Sequence, residues 1–463
     1  MYEPAPLLNA TPSSTTVAPP GTQISIALHA VFDTGFVIDT FTLTPERYQQ
    51  YGARVCDLLT KSMPGITWSQ EHAAQSDDYD SLPESYPVLD ISFVMASGPA
   101  LLPTTELKFD GTNGVTRALT LSRAHIYYHA FKSGIFSVMA TAAPGADWTQ
   151  ADWQAAEERL MTGLSEIVEA RLSAMNTALY QVVTQARVPL YQSQFIGTEG
   201  TAFRSAKRAT FEWSHRIFVM ESDPADVTAS AAFLLPRMRP IDRDGVQNMA
   251  LASDWFIYLG SGRSLICSPR ESQNEWSRAK SVAAIIRMVE VRQYVWRALY
   301  DVDRSLRNTI ALIRSTSAPR AARKLVGELR ELEFRVTGML EELDPYKLTF
   351  DTESVWLMRQ LDHNWLTADL VGSLRGRLEA LNRVYEYHEE TITRIREERL
   401  RAVLNLIGFV ATAGSVAQII GYFDPQNNQL NDSLRAVLLI AGVTTIILIF
   451  VLVLVVNLRA RRE

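Results

Sequence analysis

The chain has 463 residues, with 45 Lys and Arg against 51 Asp and Glu, for a formal net charge of -6. A mildly acidic balance at this length argues against nucleic acid as the main partner. Only two cysteines, Cys56 and Cys267, occur; that excludes a disulfide-built scaffold and suits a reducing compartment.

Met1 to Gly21 is rich in Pro, Ser, Thr and Ala without apolar periodicity and reads as a disordered tail. No charged segment followed by an apolar run opens the chain, so no signal peptide is expected. From Thr22 the pattern is mixed α/β. Residues 23–32 and 35–43 read as a strand pair turning at Asp33-Thr34. Thr44-Pro45-Glu46 supplies an N-cap and a proline in the first helical turn, predicting a helix to about Met63. Residues 88–95, 117–130 and 134–141 have strand length and composition. A long amphipathic helix is predicted from Asp147 to about Ala186, with Trp148, Trp153, Leu160, Leu164 and Ile167 among its apolar residues. A strand over 209–221 and a hairpin of 254–259 with 264–268 around Gly260-Ser261-Gly262 follow, expected to join the first set in one sheet, with two separate subdomains as the alternative.

Beyond Pro269 the pattern turns helical. Helices are predicted over 271–315, 320–343 and from about Ser354, broken by Pro319 and Pro345. From about Trp365 no proline interrupts the chain as far as Phe423, and Leu374, Leu378, Leu381, Tyr385, His388, Ile392 and Ile395 form a 4-3 seam of coiled-coil type. Two charge-free apolar runs, Ala402 to Phe423 and Ala436 to Leu458, each exceed the ~20 residues that cross a hydrocarbon core. Arg394, Arg396, Arg399 and Arg401 precede the first, and Arg459, Arg461 and Arg462 follow the second. The loop between them lacks Lys and Arg, which predicts a multi-pass cell-membrane (inner or plasma membrane) protein with both termini cytoplasmic.

The predicted fold class is α+β: an N-terminal cytosolic α/β sheet domain, long cytoplasmic helices, and a stalk helix continuous with the first of two C-terminal transmembrane helices. The predicted division is a tail over 1–21, the α/β domain over 22–270, a helical stalk region over 271–401, a membrane hairpin over 402–458 and a basic tail over 459–463. Asn405, Gly408, Thr412, Ser415, Ile419 and Tyr422 recur at 3-4 spacing on one helix face. The stripe reads as a pore lining, or alternatively as a surface for close helix packing. Arg394, Glu398 and Arg401 extend it at the cytoplasmic end.

This order of parts resembles the CorA family of divalent-cation channels and transporters, including the related ZntB-type zinc transporters. The resemblance covers the helical half and the hairpin. Where that family carries Gly-Met-Asn, this chain has Gly421-Tyr422-Phe423, so only the glycine matches and Phe423 offers no side-chain oxygen. The resemblance implies a homo-oligomeric, pentameric and non-enzymatic ion channel or transporter. Divalent cations such as Mg²⁺ or Zn²⁺ would be its default cargo or regulator, with no resident cofactor and lipid as its surroundings. Asn405, Gly408, Thr412, Ser415 and Ile419 would line its axis, and Gly421, Tyr422, Asp424 and Asp432 its outer mouth. The alternatives are a ligand-activated membrane effector with a nonselective pore, its cytosolic domain binding a small molecule or protein, and a non-conducting scaffold.

Other motifs take plainer readings. His125 and His129 stand on a strand, where four residues span ~13 Å, too far for one ion. Asp77, Asp78 and Asp80, with Glu71 and Glu84, read as a solvated acidic loop, with a hard-cation sensor as the sharper alternative. Gly260-Ser261-Gly262-Arg263 lacks the ending of a phosphate loop. His388-Glu389-Glu390 lacks the second histidine of a zinc-protease motif.

Overall fold

The computed structural model describes residues 24–70, 92–143 except 103, 148–190, 209–221, 256–268, 275–315 and 352–422, with isolated positions at 234, 334, 337, 437, 440 and 444. Its strands are β1 (Ile24–Val37), β2 (Thr67–Ser69), β3 (Ser92–Ser97), β4 (Glu106–Asp110), β5 (Thr116–His129), β6 (Phe131–Ala142), β7 (Phe211–Glu221), β8 (Phe256–Leu259) and β9 (Arg263–Ser268). Its α-helices are α1 (Pro45–Ser62), α2 (Gln150–Gln185), α3 (Glu275–Ser315), α4 (Thr352–Asn364) and α5 (Thr367–Tyr422).

All nine strands among the described residues join one mixed sheet in the order β2-β3-β5-β6-β1-β7-β9-β8, with β4 paired to β5. The links β5–β6 and β8–β9 are too short for a crossover, so those pairs are antiparallel; the one parallel pair is β7–β9. The predicted strand pair is not a hairpin. Ile24–Val37 is one strand that pairs with β6 on both sides of a register shift between Asp33 and Val37. Asp33 Oδ1 accepts from the Gly35 N–H at 2.7 Å, and Gly35 takes φ +79°, so the predicted turn is a bulge within β1.

One face of the sheet is apolar. Trp153, Ala156, Leu160, Leu164, Val168, Leu172, Met175 and Leu179 form a 3-4 stripe on α2 and join Ile26 and Leu28 of β1 and Phe136 and Val138 of β6 in the main core, with Val55 and Leu59 of α1. Thr149, not Asp147, caps α2: Thr149 and Asp152 form a reciprocal capping box, and Asp152 also ties down Thr112 and Arg117. The other face is covered by α3.

The residues divide into two compact units. The first holds the sheet, α1, α2, α4, most of α3 and the first residues of α5. In it α4 stops at a joint where Leu366 takes φ +54°. Trp365 Nε1 donates to Gly260 O at 3.0 Å and Asn364 donates to Leu259 O, which fix the joint on the β8–β9 turn. The second unit holds the end of α3 and α5 from Gly376 on. Within it Leu378 and Leu381 are buried. Beyond Asn382 every described α5 side chain is exposed except the half-buried Val403, Leu406 and Val410.

Two expectations are corrected here. The fold is built on one large, mainly antiparallel sheet, and the stalk does not lead into a described membrane-crossing helix. No helix among the described residues is long and apolar enough to cross a membrane. In α5 the charged run Arg394 to Arg401 precedes the charge-free part. The multi-pass membrane location falls with the membrane-crossing helix. The second predicted span, 436–458, lies outside the described residues apart from positions 437, 440 and 444, as do the tail 1–21, the acidic cluster at 71–84 and nearly all of the predicted helix 320–343.

Candidate functional site: a polar layer between the sheet and α3

Side chains alternate between the faces of a strand, and on the α3 side the alternate positions carry four of the chain's seven histidines. Register lines them up. His29 on β1 lies opposite Ser137 on β6 and His215 on β7, and Ser137 lies opposite His125 on β5. His215 Nε2 is 2.8 Å from the Ser264 hydroxyl on β9. A polar row thus runs straight across five strands, from His125 through Ser137, His29 and His215 to Ser264.

Glu290 of α3 stands over this row, 1% exposed. Ser137 donates its hydroxyl proton to Glu290 Oε1, and His125 Nε2 approaches the same oxygen at 3.0 Å. His29 Nε2 lies 3.8 Å away, and Arg287 Nη1 donates to Oε2 at 3.1 Å. Arg287 also lies over the Tyr127 ring, 3.7 Å from its centroid, and Tyr294 stacks on His129 at 4.0 Å. Burial alone would push the Glu290 carboxyl up. The facing His125, His29 and Arg287 outweigh it and hold the group well below the usual range, so it is ionised at neutral pH. Burial, opposed by Glu290, takes His29 down to about 4. Burial, with His29 and Arg216 beside it, puts His215 well below 6.5. Both rings are neutral at pH 7, and among the described residues the Nδ1 atoms of both meet no hydrogen-bond partner, nor does Gln293 Oε1, while Gln293 donates to His29 O.

The layer continues toward the joint. His215 packs on Trp365, with centroids 5.4 Å apart, beside Trp213 and Trp296. Trp296 Nε1 donates to Trp365 O at 3.1 Å. Arg292 pairs with Asp362 of α4, Arg297 with Glu212 and Asp301, and Ser373 of α5 donates to Asp303. The helix that reads the row is therefore tied to α4 and to the start of α5.

Chemically the arrangement holds charge in place. Ser264 and His215 are fully buried, and among the described residues no carboxylate meets the Nδ1 of that histidine. Both cysteine thiols are buried and pushed up to about 12 by desolvation, which leaves them inert. Among the described residues no group of His, Cys, Asp and Glu is arranged to hold a metal ion.

The residues singled out from sequence lie elsewhere. Asn405, Gly408 and Thr412 are exposed on one face of α5, where Thr412 Oγ1 donates to Gly408 O at 2.8 Å. Among the described residues a Cβ on Gly408 would meet nothing within 4 Å. Ser415, Ile419, Gly421 and Tyr422 are in the α5 backbone, but their side chains are outside the described set, and Asp424 and Asp432 lie outside it altogether. His125 and His129 take separate partners, Glu290 and Tyr294. Gly260-Ser261-Gly262 forms the β8–β9 turn, with Gly262 at φ +86°. Sequence reasoning missed the histidine row; the available signal was a histidine flanked by apolar residues inside a strand, as in Leu28-His29-Ala30.

No family model matches the chain, and no curated protein or solved structure matches it at a significant level.

Proposed function

We propose that the protein is a non-enzymatic transducer. The sheet unit holds α3 by a charged latch, and a change in that latch alters the α4–α5 joint and the state of α5. The observation that carries this reading is that α3 is fixed to the sheet through Glu290 over a cross-strand polar row rather than by an apolar layer alone. A helix held by buried charges can be released by a ligand, ion or proton, because a partner that binds the released form shifts the balance by its differential affinity. α5 is the output element: Leu400, Leu404, Ile407 and Phe409 are exposed on it, Phe409 by 72%, which suits regulated self-association. The ion-transport reading rests on the resemblance to the CorA family and takes no support from the described helices.

The test uses the full chain with Glu290→Gln, which removes the charge and keeps the shape. Hydrogen exchange along α3 and α5 and the solution mass by light scattering are compared with the wild type. Faster exchange in α3 together with changed exchange in α5 or a changed mass supports transduction. Faster exchange in α3 with α5 and the mass unaltered rejects it.

A further inference from the structure

We propose that the layer is a proton-linked latch: when α3 lifts, water reaches His29 and His215, their protonation holds the layer open, and Trp365 passes the release to the α4–α5 joint. The inference rests on the transducer reading and names its signal and its route.

The groups facing the pair come from every element packed around it. α3 presents Glu290 and Arg287, β5 presents His125, β6 the Ser137 hydroxyl, β7 Arg216, β9 the Ser264 hydroxyl, and the joint the Trp365 indole. In the closed layer the two rings sit side by side on neighbouring strands and are inaccessible to solvent, 1% and 0% exposed. A second charge there would meet Arg287 on one side and Arg216 on the other, so the closed form excludes it. Each ring nonetheless keeps a buried nitrogen that meets no hydrogen-bond partner among the described residues, and so does the Gln293 carbonyl above them. Buried polar atoms of this kind favour any state that lets water in. His125, whose side chain is 26% exposed, marks the wet end of the row.

The size of the effect follows from linkage. In the open layer an imidazole returns to its ordinary 6.5, whereas closed His29 stays near 4. At pH 5.5 the open form then gains about tenfold over the closed form from His29, against almost nothing at pH 7.5. His215, whose closed form resists protonation at least as strongly, supplies a comparable factor, making on the order of a hundredfold together. Glu290 contributes little here, because it is ionised in both forms at this pH.

The route to the joint is a chain of direct contacts. His215 touches Trp365, Trp296 of α3 holds the Trp365 carbonyl, and Trp365 holds the Gly260 carbonyl at the turn next to Leu366. Lifting α3 removes Trp296, and a charged His215 beside Trp365 recruits water against the indole.

The experiment is hydrogen exchange on the full chain at pH 7.5 and 5.5, corrected for the intrinsic pH dependence of exchange. It reads α3, the joint from Leu361 to Leu370, and α2 on the opposite face. The latch predicts that opening of α3 rises on the order of a hundredfold, that the joint rises with it, and that α2 rises far less. His29→Gln and His215→Gln each remove about a tenfold share of the rise whatever they do to basal stability. Trp365→Phe, which deletes the hydrogen bond to Gly260, abolishes the pH step at the joint and leaves it in α3. A rise in α3 equal to that in α2 means whole-unit unfolding and overturns the latch, as does a rise unchanged by both histidine variants. If Glu290→Gln alters α5 and pH does not, the latch fails while the transducer reading stands; if neither alters α5, both fall.

Discussion

Glu290→Ala is the sharpest perturbation of the polar layer. The carboxylate is buried and ionised, with Ser137 and His125 on one oxygen and Arg287 on the other. Its removal leaves the Arg287 charge buried beside the two histidines and withdraws the acceptor of Ser137. Breaking a buried ion pair from one side costs ~3–5 kcal/mol. Glu290→Gln retains an acceptor for Ser137 and loses only the charge, so its cost is that of a charged hydrogen bond, about 2 kcal/mol. The pair term is isolated by Arg287→Met, measured alone and together with Glu290→Gln; the double variant loses less than the sum of the singles by about 1 kcal/mol or more. Urea unfolding at pH 7.5, followed by the fluorescence of the Trp213, Trp296 and Trp365 cluster, reports the unit that contains the layer. A cost for Glu290→Ala below about 1 kcal/mol, or strict additivity in the cycle, would refute the claim that charge holds α3 down.

Three further predictions test the surroundings. Folded His29 resists protonation down to about 4 against 6.5 when unfolded, so the unfolded chain binds the proton first and stability falls as pH drops from about 6.5 toward 4; the contribution of this ring is at most about 3 kcal/mol, and a urea series across that range with no downward slope would rule it out. Gly134→Ala places a Cβ 2.3 Å from the ring of its cross-strand partner Phe32, itself edge-on to Tyr128, and should cost about 1–3 kcal/mol by urea unfolding; a neutral result would show that the ring moves aside. Burial opposes ionisation of Asp152, but the hydrogen bonds from Thr112 and Thr149 win and bring the carboxyl to about 2. Asp152→Ala therefore removes the α2 cap and the Arg117 pair, with a loss of roughly 2 kcal/mol and a lower thermal midpoint; an unchanged midpoint would count against that role.

The elements legible in the sequence are those whose signal is local. Thr44-Pro45 marks the start of α1, the 3-4 stripe marks α2, and residues 117–130 and 134–141 give β5 and β6 within a few positions. β2 and β4 were missed because three to five residues carry no period, and β1 was split because Asp33-Thr34-Gly35 has the composition of a turn. The polar layer was invisible for a different reason. Its members come from residues 29, 125, 137, 215, 264 and 290, and only strand register makes them neighbours. Arg287, Glu290, Arg292 and Arg297 are buried because polar groups that only the fold brings to them, among them Ser137, His125, Asp362 and Glu212, meet their charges.

Both faces of this sheet bury apolar side chains, and the α3 face adds a network of charges. On the α2 side, apolar burial supplies stability that varies smoothly with area and tolerates small shifts of the helix. On the α3 side, one Glu290 oxygen must meet Ser137 and His125 while the other meets Arg287, and Arg292 and Arg297 must reach Asp362 and Glu212 at the same time. A rotation or slide by one residue breaks all of these together, leaving several charges buried at once. Such a helix has a closed position and released positions, with little in between. Ion pairs of this kind add less net stability than an apolar layer of equal size would, and they fix register instead. That trade is reasonable for an element meant to be released, and it would be wasteful for one meant only to cover a sheet.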